Sequence, residues 1–143
     1  MFIGEYAHTI DDKGRMAIPA KFRLELSNGA VVTRGIDHSL FLYTMDEWKI
    51  LAEKLARLPI SQKNSRAFSR LMLAGAMDVK IDSQGRIVIP DYLREYASCK
   101  KEVVIVGLYN RLEIWDKEIW ATYKKETENS SQEIAEQMSE LGI

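Results

Sequence analysis

Apolar and polar positions alternate with a period of two in matching stretches of the chain. Tyr6, His8 and Ile10 form one such stretch, and Met77, Val79 and Ile81 another. Each pattern predicts a strand with one covered face. Met16-Ala17-Ile18 and Ile87-Val88-Ile89 follow as short apolar strands, each ended by a proline, Pro19 and Pro90. Proline has no N–H for a ladder but is tolerated in the first turn of a helix. Phe22 with Leu26, and Leu93 with Tyr96 and Ala97, then supply the apolar stripe of a short helix. Two hairpins come next. Ala30 to Tyr43 turns about Gly35-Ile36-Asp37-His38, and Val103 to Trp115 turns about Gly107-Leu108-Tyr109-Asn110.

Helical spacing replaces alternation elsewhere. Thr44 and Glu47 have the spacing of a capping box, and Trp48, Leu51, Ala52 and Leu55 share one face of the helix that follows. Pro59 breaks it, and Ser61 is the expected cap of a second helix carrying Phe68, Leu71 and Met72. Asp116 is positioned to cap a helix with Ile119, Trp120 and Tyr123 on one face. Ile134, Met138 and Leu141, spaced by four and three, leave the last segment between a weak amphipathic helix and disorder.

These elements occur twice because the sequence repeats. Residues 10–23 align with 81–94 at an offset of 71, with seven of 14 positions identical: Ile10/Ile81, Asp11/Asp82, Gly14/Gly85, Arg15/Arg86, Ile18/Ile89, Pro19/Pro90 and Arg23/Arg94. The offset becomes 72 at Val31–Gly35 against Val103–Gly107, as one inserted loop residue requires. The expected organisation is a first unit at 5–47, a helical connector at 48–75, a second unit at 76–119 and a C-terminal segment at 120–143. A unit of about 43 residues is shorter than the roughly 60 at which small domains fold alone. Two copies in one chain can pool strands into one core.

Composition narrows the function classes. The 143 residues are 46% hydrophobic and 29% charged, with a single cysteine, Cys99, so no internal disulfide is possible. No apolar run approaches the ~20 residues of a membrane-spanning helix, and Met1–Glu5 has no secretory character; a cytoplasmic protein is expected. The net charge is −1, but residues 126–143 hold five glutamates and no Lys or Arg, leaving 20 basic against 16 acidic residues in the rest. A mildly basic body with an acidic tail is compatible with a polyanionic partner.

Enzyme chemistry finds little support. The two histidines, His8 and His38, form no ligand cluster with Cys99, which stands as a lone loop thiol, and no glycine-rich phosphate loop is present. Asp11-Asp12 is not repeated as a carboxylate pair, since Ser83 occupies the second position of the other copy. The Trp and Tyr residues suit core packing. No cofactor or metal is implied.

The arginine that follows each turn glycine is the candidate chemistry. Gly14 and Gly85 permit the positive φ of a tight turn, so Arg15 and Arg86 are expected to project outward. Taken alone, Asp11–Arg15 and Asp82–Arg86 read more readily as ion pairs that close a loop than as a nucleic-acid contact.

The doubled Asp-x-x-Gly-Arg-x-x-Ile-Pro, with Met1-Phe2-Ile3-Gly4-Glu5-Tyr6 before it and Leu71-Met72-Leu73-Ala74-Gly75-Ala76 between the copies, resembles the MraZ family. That family comprises duplicated members of the AbrB-type swapped-hairpin superfamily. The resemblance covers almost the whole chain and implies an α+β, β-rich fold. This would be a double-split, swapped-hairpin β-barrel made by two AbrB-like repeats, with connecting and C-terminal helices. It implies a nucleoid-associated, DNA-binding transcriptional regulator, usually a repressor of the cell-division and cell-wall gene cluster. Such a regulator recognises short G-rich direct repeats in double-stranded promoter DNA as a ring-shaped homo-oligomer. With the resemblance, DNA contact becomes the favoured reading of Arg15, with Asp11 orienting it, while the two readings of Arg86 stay even. Arginine grips guanine O6 and N7 through paired hydrogen bonds. Lys13, Lys21 and Arg23 are the expected phosphate contacts, which position without reading sequence. Gln84, Asp91 and Tyr92 make the second copy less basic. The alternatives are an antitoxin-like promoter-binding regulator and a ring-forming scaffold with no nucleic-acid role.

Overall fold

The computed structural model describes residues 1–143. The first repeat supplies β1 (Phe2–Thr9), β2 (Arg15–Ala17), β3 (Ala30–Arg34) and β4 (Leu40–Thr44). The second supplies β5 (Met77–Val79), β6 (Arg86–Val88), β7 (Glu102–Tyr109) and β8 (Leu112–Asp116). Helix α1 (Met45–Ala56) and helix α2 (Lys63–Ser69), continued by a π-helical turn at Arg70–Ala74, lie between the repeats. Helix α3 (Asp91–Tyr96) follows Pro90, and α4 (Lys117–Asn129) and α5 (Ser131–Met138) end the chain. The molecule is α+β.

Six strands form an antiparallel sheet in the order β1-β7-β8-β4-β3-β5, and β2 pairs with β6 in a separate two-stranded ribbon. The order interleaves the repeats. β1 lies along β7 over eight residue pairs, from Phe2↔Tyr109 to Thr9↔Glu102, and β5 lies along β3 from Ala30↔Val79 to Val32↔Met77. Each repeat therefore lends its first strand to the hairpin of the other, and the hairpins meet through β4 and β8. The arrangement has an approximate two-fold character, and neither repeat encloses a core by itself.

The shared core takes Ile10 and Val79 from the alternating stretches, with Tyr6 and Ile81 packed against it, whereas Met77 stays 41% exposed. Met16, Ile18, Ile87 and Ile89 point inward from the ribbon and are fully buried, as are Leu40, Leu42, Ile105, Leu112 and Ile114 from the sheet. Phe22 meets Phe2 and Tyr6 edge-on at centroid distances of 5.2 and 5.3 Å. Such pairs contribute about 0.5–1.5 kcal/mol beyond their buried area. The outer face of the sheet carries two helical covers. α1 and the π-helical turn lie over Phe41 and Tyr43, while α4 brings Trp120 and Tyr123 to within 5.1 and 5.0 Å of Trp115. Glu113 is buried on this face but is not orphaned, since it accepts from Arg111 Nε and Nη2 and from Trp115 Nε1. A buried charge needs such pairing.

Several local expectations hold and others shift. Thr44 Oγ1 accepts from the Glu47 N–H at 3.2 Å, and Asp116 Oδ2 from Glu118 and Ile119 at 3.2 and 3.3 Å. Ser61 does not cap α2; Gln62 occupies that position without a side-chain bond. The helix expected after Pro19 shrinks to a 3-10 turn at Ala20–Phe22, whereas Pro90 opens a true α-helix with Asp91 in its first turn. An acidic side chain there favours the helix dipole. The second hairpin turns one residue later than expected, the Leu108 N–H donating to Arg111 O, because β7 runs on to pair with Ile3 and Phe2. The C-terminal segment is helical, and α5 buries none of its residues. No helix is long and apolar enough to cross a membrane.

Candidate nucleic-acid interface

The two Asp-x-x-Gly-Arg turns are built alike down to single atoms. Asp11 Oδ1 accepts the backbone N–H groups of Lys13 and Arg15 at 3.0 and 2.9 Å, while Oδ2 takes Arg15 Nε at 2.6 Å. Asp82 Oδ1 accepts those of Gln84 and Arg86, both at 2.9 Å, and Oδ2 takes Arg86 Nε at 3.0 Å. Glycine completes each turn at φ +81° for Gly14 and +78° for Gly85. A Cβ on Gly14 would stand 2.6 Å from Ile89 O, and one on Gly85 would strike the Arg23 guanidinium. Both backbone sign and space therefore demand glycine. The donated hydrogen bonds, first among them the Arg15 and Arg86 backbone N–H groups, hold the carboxyls of Asp11 and Asp82 below the usual carboxylate range.

The turns are also locked to one another. Ile18 N–H donates to Gly85 O at 2.9 Å, and Ile89 N–H donates to Gly14 O at 2.7 Å. Arg23 Nε donates to Ile18 O at 3.0 Å while its guanidinium lies against Gly85; Arg94 Nε donates to Ile89 O at 3.1 Å and lies against Gly14. The seventh identity of the repeat is thus a reciprocal clamp, which explains why that arginine stands in both copies.

The ribbon brings the two candidate arginines together. β2 and β6 pair Arg15↔Val88, Met16↔Ile87 and Ala17↔Arg86. Residues opposite each other in an antiparallel pair share a face. Met16 and Ile87 face the core, so Arg15, Ala17, Arg86 and Val88 form the outer face. Arg15 and Arg86 are diagonal neighbours on it, at a separation of roughly 7–8 Å in such ladders. Their side chains are 35% and 28% exposed, less than a freely projecting arginine, because each aspartate draws Nε back toward the turn. The terminal nitrogens have no partner within the chain. The ion pair and the outward donors therefore coexist. Each guanidinium is oriented at one edge and offers Nη1 and Nη2 at the other, over a floor of small or short side chains. Donors fixed in this way suit paired acceptors such as a base edge or a phosphate.

The other expected contacts are more dispersed. Lys13 is exposed in the first turn. Lys21 lies with Nζ 5.3 Å from the ring centres of Tyr6 and Phe22. Arg23 is exposed but committed through Nε to the clamp, a role that the sequence reading missed although its repetition as Arg94 was visible. His8 lies in β1 and is pushed below its ordinary value by burial, then by the charge of Arg23, while His38 sits in the first hairpin loop. Cys99 is a free thiol in the loop between α3 and β7, as expected, but it is half-buried. It packs against the core, and burial pushes its thiol up to about 12.

Known proteins carry the same duplication. The model of the MraZ protein family, which bears an antitoxin-like label, matches twice, at residues 1–71 and 72–141. The transcriptional regulator MraZ of Halothermothrix orenii is 54% identical over 143 residues, all of both chains. Those of Caldanaerobacter subterraneus subsp. tengcongensis and Thermoanaerobacter pseudethanolicus are each 51% identical over the same full span. The two family matches fall one on each glycine turn, and together with this full-length identity they place the chain in the MraZ family.

Proposed function

We propose that the chain is a sequence-specific DNA-binding transcriptional regulator, a repressor of the cell-division and cell-wall gene cluster. It would read short G-rich direct repeats in promoter DNA as a ring-shaped homo-oligomer, in the cytoplasm and at the nucleoid. The observation that carries this reading is the placing of Arg15 and Arg86 on the outer face of the β2–β6 ribbon with their terminal nitrogens unpaired. A two-stranded ribbon fits the major groove, and arginine there pairs with guanine at roughly 1–3 kcal/mol of discrimination per bidentate contact. Full-length relatives named as transcriptional regulators support the same conclusion.

In this account Arg15 is the principal reader and Arg86 the secondary one. Asp11 with Gly14, and Asp82 with Gly85, hold them in position. Lys13, Lys21 and the exposed end of Arg23 contact phosphate. The domain plan is two AbrB-like units at 5–47 and 76–119 with the connector at 48–75 and the tail at 120–143. The exchange of β1 and β5 between the repeats supports the swapped-hairpin barrel. A single chain offers few cations, and non-specific binding at ~10⁻⁴–10⁻⁶ M is usual for that term. Several subunits on tandem sites raise the avidity.

Electrophoretic retardation of the DNA upstream of the chain's own gene tests the reading. Binding is expected at low salt, falling steeply as salt rises. A chain that assembles but leaves promoter DNA unretarded would be a scaffold, and a flat salt profile would remove the phosphate contacts.

A further inference from the structure

The C-terminal helix and the connector between the repeats are complementary in charge and in apolar shape, and neither is covered. α5 and the 3-10 turn after it present Ile134, Met138 and Leu141 along one side, at spacings of four and three. Leu141 is 71% exposed, and α5 packs mainly against α4 and that turn. Residues 126–143 carry five glutamates and no cation, with Glu133, Glu136 and Glu140 beside the apolar stripe. An amphipathic helix with nothing against its apolar face needs a partner surface.

The connector offers the opposite. Residues 49–73 hold six basic side chains against one acidic, Glu53. Where α1 passes into α2, Leu55, Leu58, Pro59, Ile60 and Leu73 line an open groove of about 250 Å³. Ile60 is 82% exposed at its rim, and Arg66 and Arg70 edge it. The volume is below the roughly 300–1,000 Å³ of small-ligand pockets. It suits one or two aliphatic side chains from a helix docked in a groove.

We infer that the C-terminal helix of one copy docks into the connector groove of the next, with Ile134, Met138 and Leu141 as anchors and the glutamates facing Arg57, Lys63 and Arg70. The inference rests on the homo-oligomer reading above and names the contact that builds it. Helix and groove are different surfaces, so the contact is heterologous. It propagates head to tail and closes into a ring when the rotation allows. The acidic tail is then a self-assembly element, and its charge is met by a neighbour.

The test uses full-length chains. Light scattering after sizing compares the unaltered protein with Glu133→Lys/Glu136→Lys/Glu140→Lys, with Arg57→Glu/Lys63→Glu/Arg70→Glu, and with a chain carrying both sets. All six positions are exposed, so melts taken at dilutions where the unaltered chain is also unassembled should be unchanged. Each set alone should shift assembly to at least tenfold higher protein concentration, and the two together should restore it. A double cysteine variant, Ile60→Cys with Leu141→Cys, should give a ladder of multimers on oxidation. An assembled mass indifferent to either charge set, or sets that fail to compensate, would overturn the contact while leaving the oligomer reading in place. So would a cross-link that closes within one chain, or no cross-link in an assembled sample. An unaltered chain that stays monomeric would overturn the oligomer reading itself.

Discussion

The two glycine turns share an architecture and differ in the charged side chains placed around it. In both, an aspartate takes two backbone N–H groups and one arginine Nε, a glycine sits at positive φ, and an arginine from the other repeat closes over that glycine. Beside the first turn stand its own Asp12 and Lys13 and, from the other repeat, Arg94 paired with Asp91, the acid in the first turn of α3. Beside the second stand its own Ser83 and Gln84 and, from the first repeat, an Arg23 with no acidic partner, which follows the 3-10 turn that carries Lys21. The aspartate, the glycine and the closing arginine common to the copies serve the fold, and the side chains that differ set the charges beside each turn.

Breaking the shared part should hurt both copies, Gly14 the more, because a Cβ there meets the Ile89 carbonyl and one on Gly85 meets the movable end of Arg23. Gly14→Ala and Gly85→Ala each force a side chain into positive φ and into contact with the other repeat, which should cost about 1–3 kcal/mol in urea unfolding. A loss confined to one of the two would show that the clamp is not reciprocal.

Acid should act on both turns as well. The folded carboxyls of Asp11 and Asp82 lie below their ordinary value of 3.8. Their contribution is therefore present above that pH and is lost as pH falls through the lower folded values. Urea midpoints should drop more steeply below pH 4 in the unaltered chain than in the Asp11→Asn/Asp82→Asn variant. Equal slopes would remove these aspartates from the account.

The smallest expected effect sharpens the difference between copies. Gln84→Lys gives the second turn the cation of the first and should raise non-specific DNA affinity a few-fold. The log–log salt slope should steepen by about one, as one more neutralised phosphate requires. An unchanged slope would mean that this turn does not approach the backbone.

Much of the fold was legible in the sequence, because period-two alternation, turn glycines, cap residues and an internal repeat are local signals. The caps at Thr44 and Asp116 and the face of Ile119, Trp120 and Tyr123 follow from spacing alone. The pairing of β1 with β7 and of β5 with β3 did not, since contacts about a hundred or fifty residues apart leave no period to read. The candidate site was half legible. Repetition drew attention to Asp11, Gly14, Arg15 and their counterparts, but only the β2–β6 register places the two arginines on one face. Arg23 shows the opposite limit: its charge suggested a phosphate contact, while its repetition as Arg94 reflected the need to cover a glycine across the interface of the repeats.

The most direct measurement titrates the unaltered chain, Arg15→Ala and Arg86→Ala against promoter DNA carrying G-rich direct repeats at one fixed salt concentration, with melting curves for all three. Loss of one bidentate contact should weaken Arg15→Ala roughly 10- to 100-fold and Arg86→Ala less, with little change in melting temperature for either. A folded Arg15→Ala that binds as tightly as the unaltered chain would contradict the account.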